Sequence, residues 1–319
     1  MTETSDDDHS LPLPVAALVG TAFIGSIMGI FARELAAQLN VAEQVGLRCL
    51  MGALVLLAVS WRSIDFGKYA RMPPSDLRLT AVRAVSMFVI AISLGTVAFV
   101  NGNYASVAVI MALPAPALLS ALVFKERISY RETALVSFAF VGAAITIISA
   151  AGLRFEFNWP LSCAVLATLF MSYGILARKR QSSFLNNRET TLLMLFTAAL
   201  IMGVFSAAWI LWSGDVPRIT PHTLLVALIA GICNIGFLVL SNYAIPKVKG
   251  VVVNNILALQ PLFGAVIGFA LFNETLSPLA IVGGVMILTA VILIANPALL
   301  PLRPTAQLTP RAINAPPPK

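Results

Sequence analysis

Along most of the 319-residue chain the polar positions are too sparse to form a face. Segments such as AVLATLFMSYGIL, residues 164–176, are apolar on every side of a helix, which suits a helix surrounded by lipid. A membrane β-strand would alternate apolar with polar residues, and these runs do not. Runs of about 20 apolar residues suffice to cross a hydrocarbon core of roughly 30 Å as helices. The pattern predicts an all-α membrane protein with ten spans: 13–33, 42–60, 79–98, 103–123, 132–151, 159–177, 191–212, 222–244, 250–272 and 278–296.

Composition agrees, because 59% of residues are hydrophobic and only 11% charged, against roughly 25% charged in soluble domains. Residues 1–12 form an acidic tail without the basic start of a secretory signal, so the first span is expected to be retained. Residues 297–319 are Pro-rich and read as disordered. Cys49, Cys163 and Cys233 fall inside spans as small apolar residues; their spacing suggests no disulfide framework or metal site, and no motif asks for a cofactor.

Charge then sets orientation. The connections 61–78, 124–131, 178–190 and 245–249 and the C-terminal tail hold every Lys and Arg except Arg33, Arg154 and Arg218 in the opposite connections and Arg48 and Arg83 within spans. By the positive-inside rule both termini are expected in the cytoplasm. The net charge of +7 is thus a topology signal, and no separate basic domain points to nucleic acid.

The chain also echoes itself. GIFARE at 29–34 returns as GILARK at 174–179, and FKERIS at 124–129 returns as FNETLS at 272–277. Ser93 with Ser241, Gly102 with Gly250 and Ala117 with Ala265 share the second pair's offset of 148. Five spans separate each motif from its copy, so the copy enters the membrane from the other side. The charges agree: Lys125, Arg127 and Arg131 become Asn273, Thr275 and Leu279. Residues 13–151 and 152–296 therefore read as two inverted-topology repeats of five helices around a central cavity.

The ten-span layout, the FKERIS and FNETLS loops, which look like an LGERLS-type signature after spans 4 and 9, and the Arg in GLRCLMGAL of span 2 together resemble the EamA-type members of the drug/metabolite transporter superfamily. The second signature departs from that pattern at Asn273 and Thr275. The resemblance covers residues 13–296 and implies a secondary transporter with a cavity between its halves, moving small metabolites.

The residues lead toward transport as well. Inverted repeats supply two related conformations that expose a midplane site to each side in turn. Pro114 and Pro116 in span 4 should free the carbonyls of Ile110 and Ala112, and Pro261 in span 9 that of Leu257, marking helix breaks or gates; the alternative is a packing kink. The GxxxG pairs Gly25/Gly29 and Gly264/Gly268 read as close helix contacts. Trp61, Trp159, Trp209 and Trp212 near span ends read as interfacial anchors.

Polar residues deep in spans are the candidate solute contacts, because each is costly in lipid unless it faces a cavity or a partner. They are Arg48, Arg83, Asn234, Gln260 and Tyr173, with structural pairing or snorkelling as the rival role. Asn103, Tyr104, Asn254 and Asn255 form a second tier of candidates, with helix capping or anchoring as the rival role. No catalytic residue is expected: the carboxylates lie in tails, loops and span ends, and His9 and His222 lie outside the cavity region. The same lack of a mid-depth carboxylate disfavours an exporter of organic cations or drugs. The expected function is alternating-access transport of a small anionic or zwitterionic metabolite, such as an amino acid. The alternatives are the cation exporter and a non-transporting scaffold or channel. The expected partners are a small solute and the bilayer of a bacterial inner membrane, with coupling to protons or an exchanged solute and a monomer or homodimer both compatible.

Overall fold

The computed structural model describes residues 12–102, 107, 110–151, 158–272 and 277–295. Helices α1 (Pro12–Ala36), α2 (Val41–Ser60), α3 (Phe66–Ala70), α4 (Pro74–Ala84), α5 (Ser93–Asn101), α6 (Ala115–Leu122) and α7 (Tyr130–Ala151) are followed by α8 (Trp159–Leu176), α9 (Asn187–Ser213), α10 (Pro221–Ala244), α11 (Gly250–Leu257), α12 (Gln260–Phe272) and α13 (Pro278–Ala295). Among the described residues six helical stretches are long and apolar enough to cross a membrane: Leu13–Ala36, Val41–Ser63, Pro74–Asn101, Trp159–Arg180, Asn187–Ser213 and Pro221–Lys247. Shorter apolar helices cover Gly250–Gly264 and Pro278–Ile294. Both tails, Asn103, Tyr104, Arg154 and most of the second signature lie outside the described residues.

Short polar motifs start the helices. Asn40 caps α2 by accepting from the Glu43 N–H at 3.0 Å, while Glu43 accepts from the Asn40 N–H at 2.8 Å. Asn186 and Glu189 repeat this box at α9, and Thr220 with Thr223 at α10. In each case a side chain satisfies backbone donors that have no partner inside the helix. Ser129 of the first signature does the same at α7, exchanging hydrogen bonds with Glu132.

Three predicted spans are not continuous α-helices. Val85–Ile92, between α4 and α5, winds as a π-helix. Span 9 breaks at Ala258–Leu259, just before Gln260 and Pro261. Span 4 breaks at Ala112–Leu113, and Pro114 precedes the first residue of α6. One expectation is corrected here: the Ile110 carbonyl is not freed, because the chain tightens and the Leu113 N–H reaches it at 3.1 Å.

Helix packing crosses between the two halves of the chain. α2 lies against α9 and α10, α7 runs along α13, α1 packs on α10, and α8 packs on the π-helix and α5. Lone glycines make the closest approaches. A Cβ at Gly52 would meet the Gly231 oxygen at 2.8 Å, and one at Gly231 would meet the Gly52 nitrogen at 2.6 Å. Gly142 and Gly283 bring α7 and α13 together in the same way, at 2.7 Å. The expected role of the GxxxG pairs is corrected in part: a Cβ at Gly264 would meet nothing within 4 Å, and the three atoms nearest one at Gly25 all belong to a side chain. The outer surface carries exposed Phe196, Leu200, Phe205, Leu211 and Trp212, as a lipid-facing surface requires.

Candidate functional site

A cavity of about 710 Å³ runs between the halves. Its mouth holds Arg33 and Glu34, both exposed at the end of α1. Arg33 Nε donates to the Phe99 carbonyl at 3.3 Å, and His222 stands 3.9 Å from Glu34. One wall is apolar and comes from the π-helix, through Met87, Phe88, Ala91 and Ile92. A π-turn widens the helix and turns side chains out of register, a common device beside functional sites. α8 adds Thr168, Met171 and Ser172, and the Thr168 hydroxyl is already used on the Ala164 carbonyl at 2.8 Å.

Of the residues singled out in the sequence, Arg48, Asn234, Gln260, Pro116 and Pro261 come together in the lining. Arg48 is 2% exposed; its Nε donates to the Gln44 carbonyl at 3.2 Å, and its Nη2 is buried with no partner among the described residues. Burying an unpaired guanidinium costs several kcal/mol by desolvation estimates, so the wall holds an unspent positive charge. The side-chain amides of Asn234, Gln260 and Asn254 form no hydrogen bond among the described residues. Asn254, from the second tier of candidates, also lines the cavity, on α11.

Arg83, Tyr173 and Pro114 do not line the cavity. Arg83 is buried at 1% exposure and fully engaged: its guanidinium donates to the Gly174 carbonyl at 2.9 Å, Gln181 Oε1 at 2.5 Å and Asn242 Oδ1 at 2.6 Å. Depth alone did not distinguish a spent arginine from an unspent one.

On the far side from Arg33, ion pairs and a hydrogen bond join the two halves. Glu126 pairs with Lys179 and accepts the Gly250 N–H at 2.8 Å, at the start of α11. Lys249 bonds Glu132 at 3.0 Å, and Lys68 bonds Glu189 at 3.3 Å. Burial and the adjacent Glu189 carboxylate raise the Tyr69 phenol above its usual range, while its hydroxyl donates to the Glu189 carbonyl at 3.0 Å. Lys125, immediately before Glu126, adopts a left-handed φ of 55°.

The described helices make a many-span α-helical membrane protein with a solute-sized cavity between its halves. The EamA-like transporter family matches twice, at residues 13–148 and 158–296, and the chain belongs to that family, so it is a small-molecule transporter and not an enzyme. A search of curated proteins finds no match. A solved structure titled only as the crystal structure of a protein aligns with a TM-score of 0.68 over 88% of this chain and 97% of its own, at 14% identity. At that identity the likeness shows a shared fold.

Proposed function

We propose that this protein is a secondary transporter of a small anionic or zwitterionic metabolite, such as an amino acid, working by alternating access. The observation that carries the reading is the Arg48 guanidinium, buried in the cavity wall with Nη2 unpartnered and accompanied by three unbonded amides. A carboxylate would offset its desolvation, and the amides suit an ammonium or hydroxyl at the other end of the solute. An organic cation would meet repulsion there, and the one carboxylate in the lining among the described residues, Glu34, stands at the exposed mouth.

Two inverted repeats of five helices, residues 13–151 and 152–296, are supported by the double family match and by packing. Exchanging halves carries the α1 contact with α10 onto the contact of α8 with the π-helix and α5, and maps the α2–α9 and α7–α13 pairs onto themselves. Positive charge supports cytoplasmic termini in a bacterial inner membrane. The Arg33 mouth is then external and the Glu126 end cytoplasmic, so the arrangement is outward-open. Arg48, Asn234 and Gln260 contact solute in this scheme; Pro114, Pro116 and Pro261 keep the broken helices hinged, and Arg83 and Tyr173 hold the frame.

Counterflow into proteoliposomes tests the reading, with labelled L-alanine, L-glutamate, succinate, uridine and tetraethylammonium as probes. Exchange of a carboxylate-bearing probe is expected. Exchange of tetraethylammonium alone, or of none of the five, would overturn it.

A further inference from the structure

Gly25, on α1, lines the cavity opposite the break between α11 and α12. A Cβ built on it would lie 2.5 Å from Gln260 Nε2, 2.9 Å from Cδ and 3.4 Å from Oε1. All three nearest atoms belong to one side chain. At Gly52 and Gly231, by contrast, the nearest atom is backbone, as expected where a glycine lets two helices touch. The space left at Gly25 is therefore filled by the Gln260 amide, which makes no hydrogen bond among the described residues. Shape alone holds it. Gln260 opens α12 directly before Pro261, so its Cα is fixed by the helix start while its amide rests on α1.

We propose that Gly25 is the positioning residue for Gln260 and, through it, a determinant of which solutes the cavity accepts. The proposal rests on reading the cavity as the solute site. A methyl at position 25 needs about 3.5–4 Å from carbon, so the amide would have to move by roughly 1 Å. That is cheap for the fold, because the obstacle is the far end of a flexible side chain. It is costly for recognition, since an amide moved by about 1 Å leaves hydrogen-bonding geometry with the solute, and losing one such bond weakens binding about tenfold.

The test compares Gly25→Ala, Gln260→Ala and the double variant, full length and in detergent or proteoliposomes. The thermal midpoint needs no substrate. Gly25→Ala is expected to give a shift about one to two degrees less favourable when Gln260 is present than when it is alanine. In the Gln260→Ala background the same change should leave the midpoint unchanged or raised, because the methyl then has room and alanine favours helix. The same shift in both backgrounds would show that Gly25 serves backbone packing, and the proposal would be wrong. In transport, KM for whichever of L-alanine or L-glutamate is carried should rise at least about tenfold in Gly25→Ala, with maximal rate within about twofold. A coupled thermal shift with unchanged KM would overturn the specificity role. If neither amino acid is carried, the solute class fails, while the thermal cycle still decides whether Gly25 seats Gln260.

Discussion

The Glu126 carboxylate joins the two halves of the chain: one oxygen pairs with the Lys179 ammonium and the other accepts the Gly250 N–H at 2.8 Å. Gly250 begins α11, the half-helix whose later turn carries Asn254 into the cavity wall. Cavity lining and the link between the halves thus share one short rigid element. The pair is mostly buried, with side-chain exposures of 16% and 21%, so it is worth more than an open surface pair.

Glu126→Gln should loosen that link. Ser120 is fully buried and packs against Gly250, behind the latch. With Cys49, Cys163 and Cys233 replaced by alanine, Ser120→Cys should react slowly with an impermeant maleimide applied from the cytoplasmic side. Adding Glu126→Gln should raise the labelling rate about tenfold, corresponding to roughly 1.4 kcal/mol. An unchanged rate would mean the carboxylate only decorates a seal held elsewhere.

Lys125 should be replaceable at a gain. In the LGERLS-type signature its place belongs to glycine, and its φ of 55° gives the physical reason. A left-handed conformation costs a non-glycine residue about 1–2 kcal/mol, while glycine loses roughly 0.5–1 kcal/mol in chain entropy. Lys125→Gly is therefore expected to stabilise by about 0.5 kcal/mol, read as a small rise in the thermal midpoint. A lower midpoint would show that the lysine side chain contributes something that outweighs its strained backbone.

Much of this architecture was legible because lipid imposes a blunt requirement: each crossing must be apolar throughout, so spans stand out in one sequence. Arg48 was legible for the complementary reason, as a permanent charge amid such a run. What escaped depends on partners distant in sequence or on backbone geometry. The acceptors of Arg83 come from Gly174, Gln181 and Asn242, on other elements. The contact of Gly52 with Gly231 joins two isolated glycines that form no motif. The π-helix at Val85–Ile92 has the same apolar composition as its α-helical neighbours.

Membrane topology has its own check. Reporters fused after Lys249 and after the C-terminus should both read cytoplasmic, and one after Arg154 external. A cytoplasmic signal at Arg154 would leave the halves with the same orientation and end the inverted-repeat reading.

The two buried arginines should behave as opposites. Arg83→Gln removes three hydrogen bonds that link α4 to Gly174, Gln181 and Asn242, leaving the Asn242 and Gln181 carbonyls short of a donor. Leaving such buried acceptors unsatisfied costs about 1–3 kcal/mol each, so the thermal midpoint should fall. Arg48 gives up only its bond to the Gln44 carbonyl, and glutamine there removes an unpaired buried charge. Arg48→Gln should therefore leave a folded protein of unchanged or higher midpoint. Its transport of a carboxylate-bearing solute should nevertheless fall at least about tenfold, roughly 1.4 kcal/mol of lost interaction. Arg48→Lys should rescue only in part, because an ammonium keeps the charge without the planar fork that grips a carboxylate in two places. Full transport by Arg48→Gln would make Arg48 a packing residue and remove the support for an anionic or zwitterionic solute. A collapse of folding would assign it the structural role held by Arg83, and Asn234 and Gln260 would be the positions left to carry recognition.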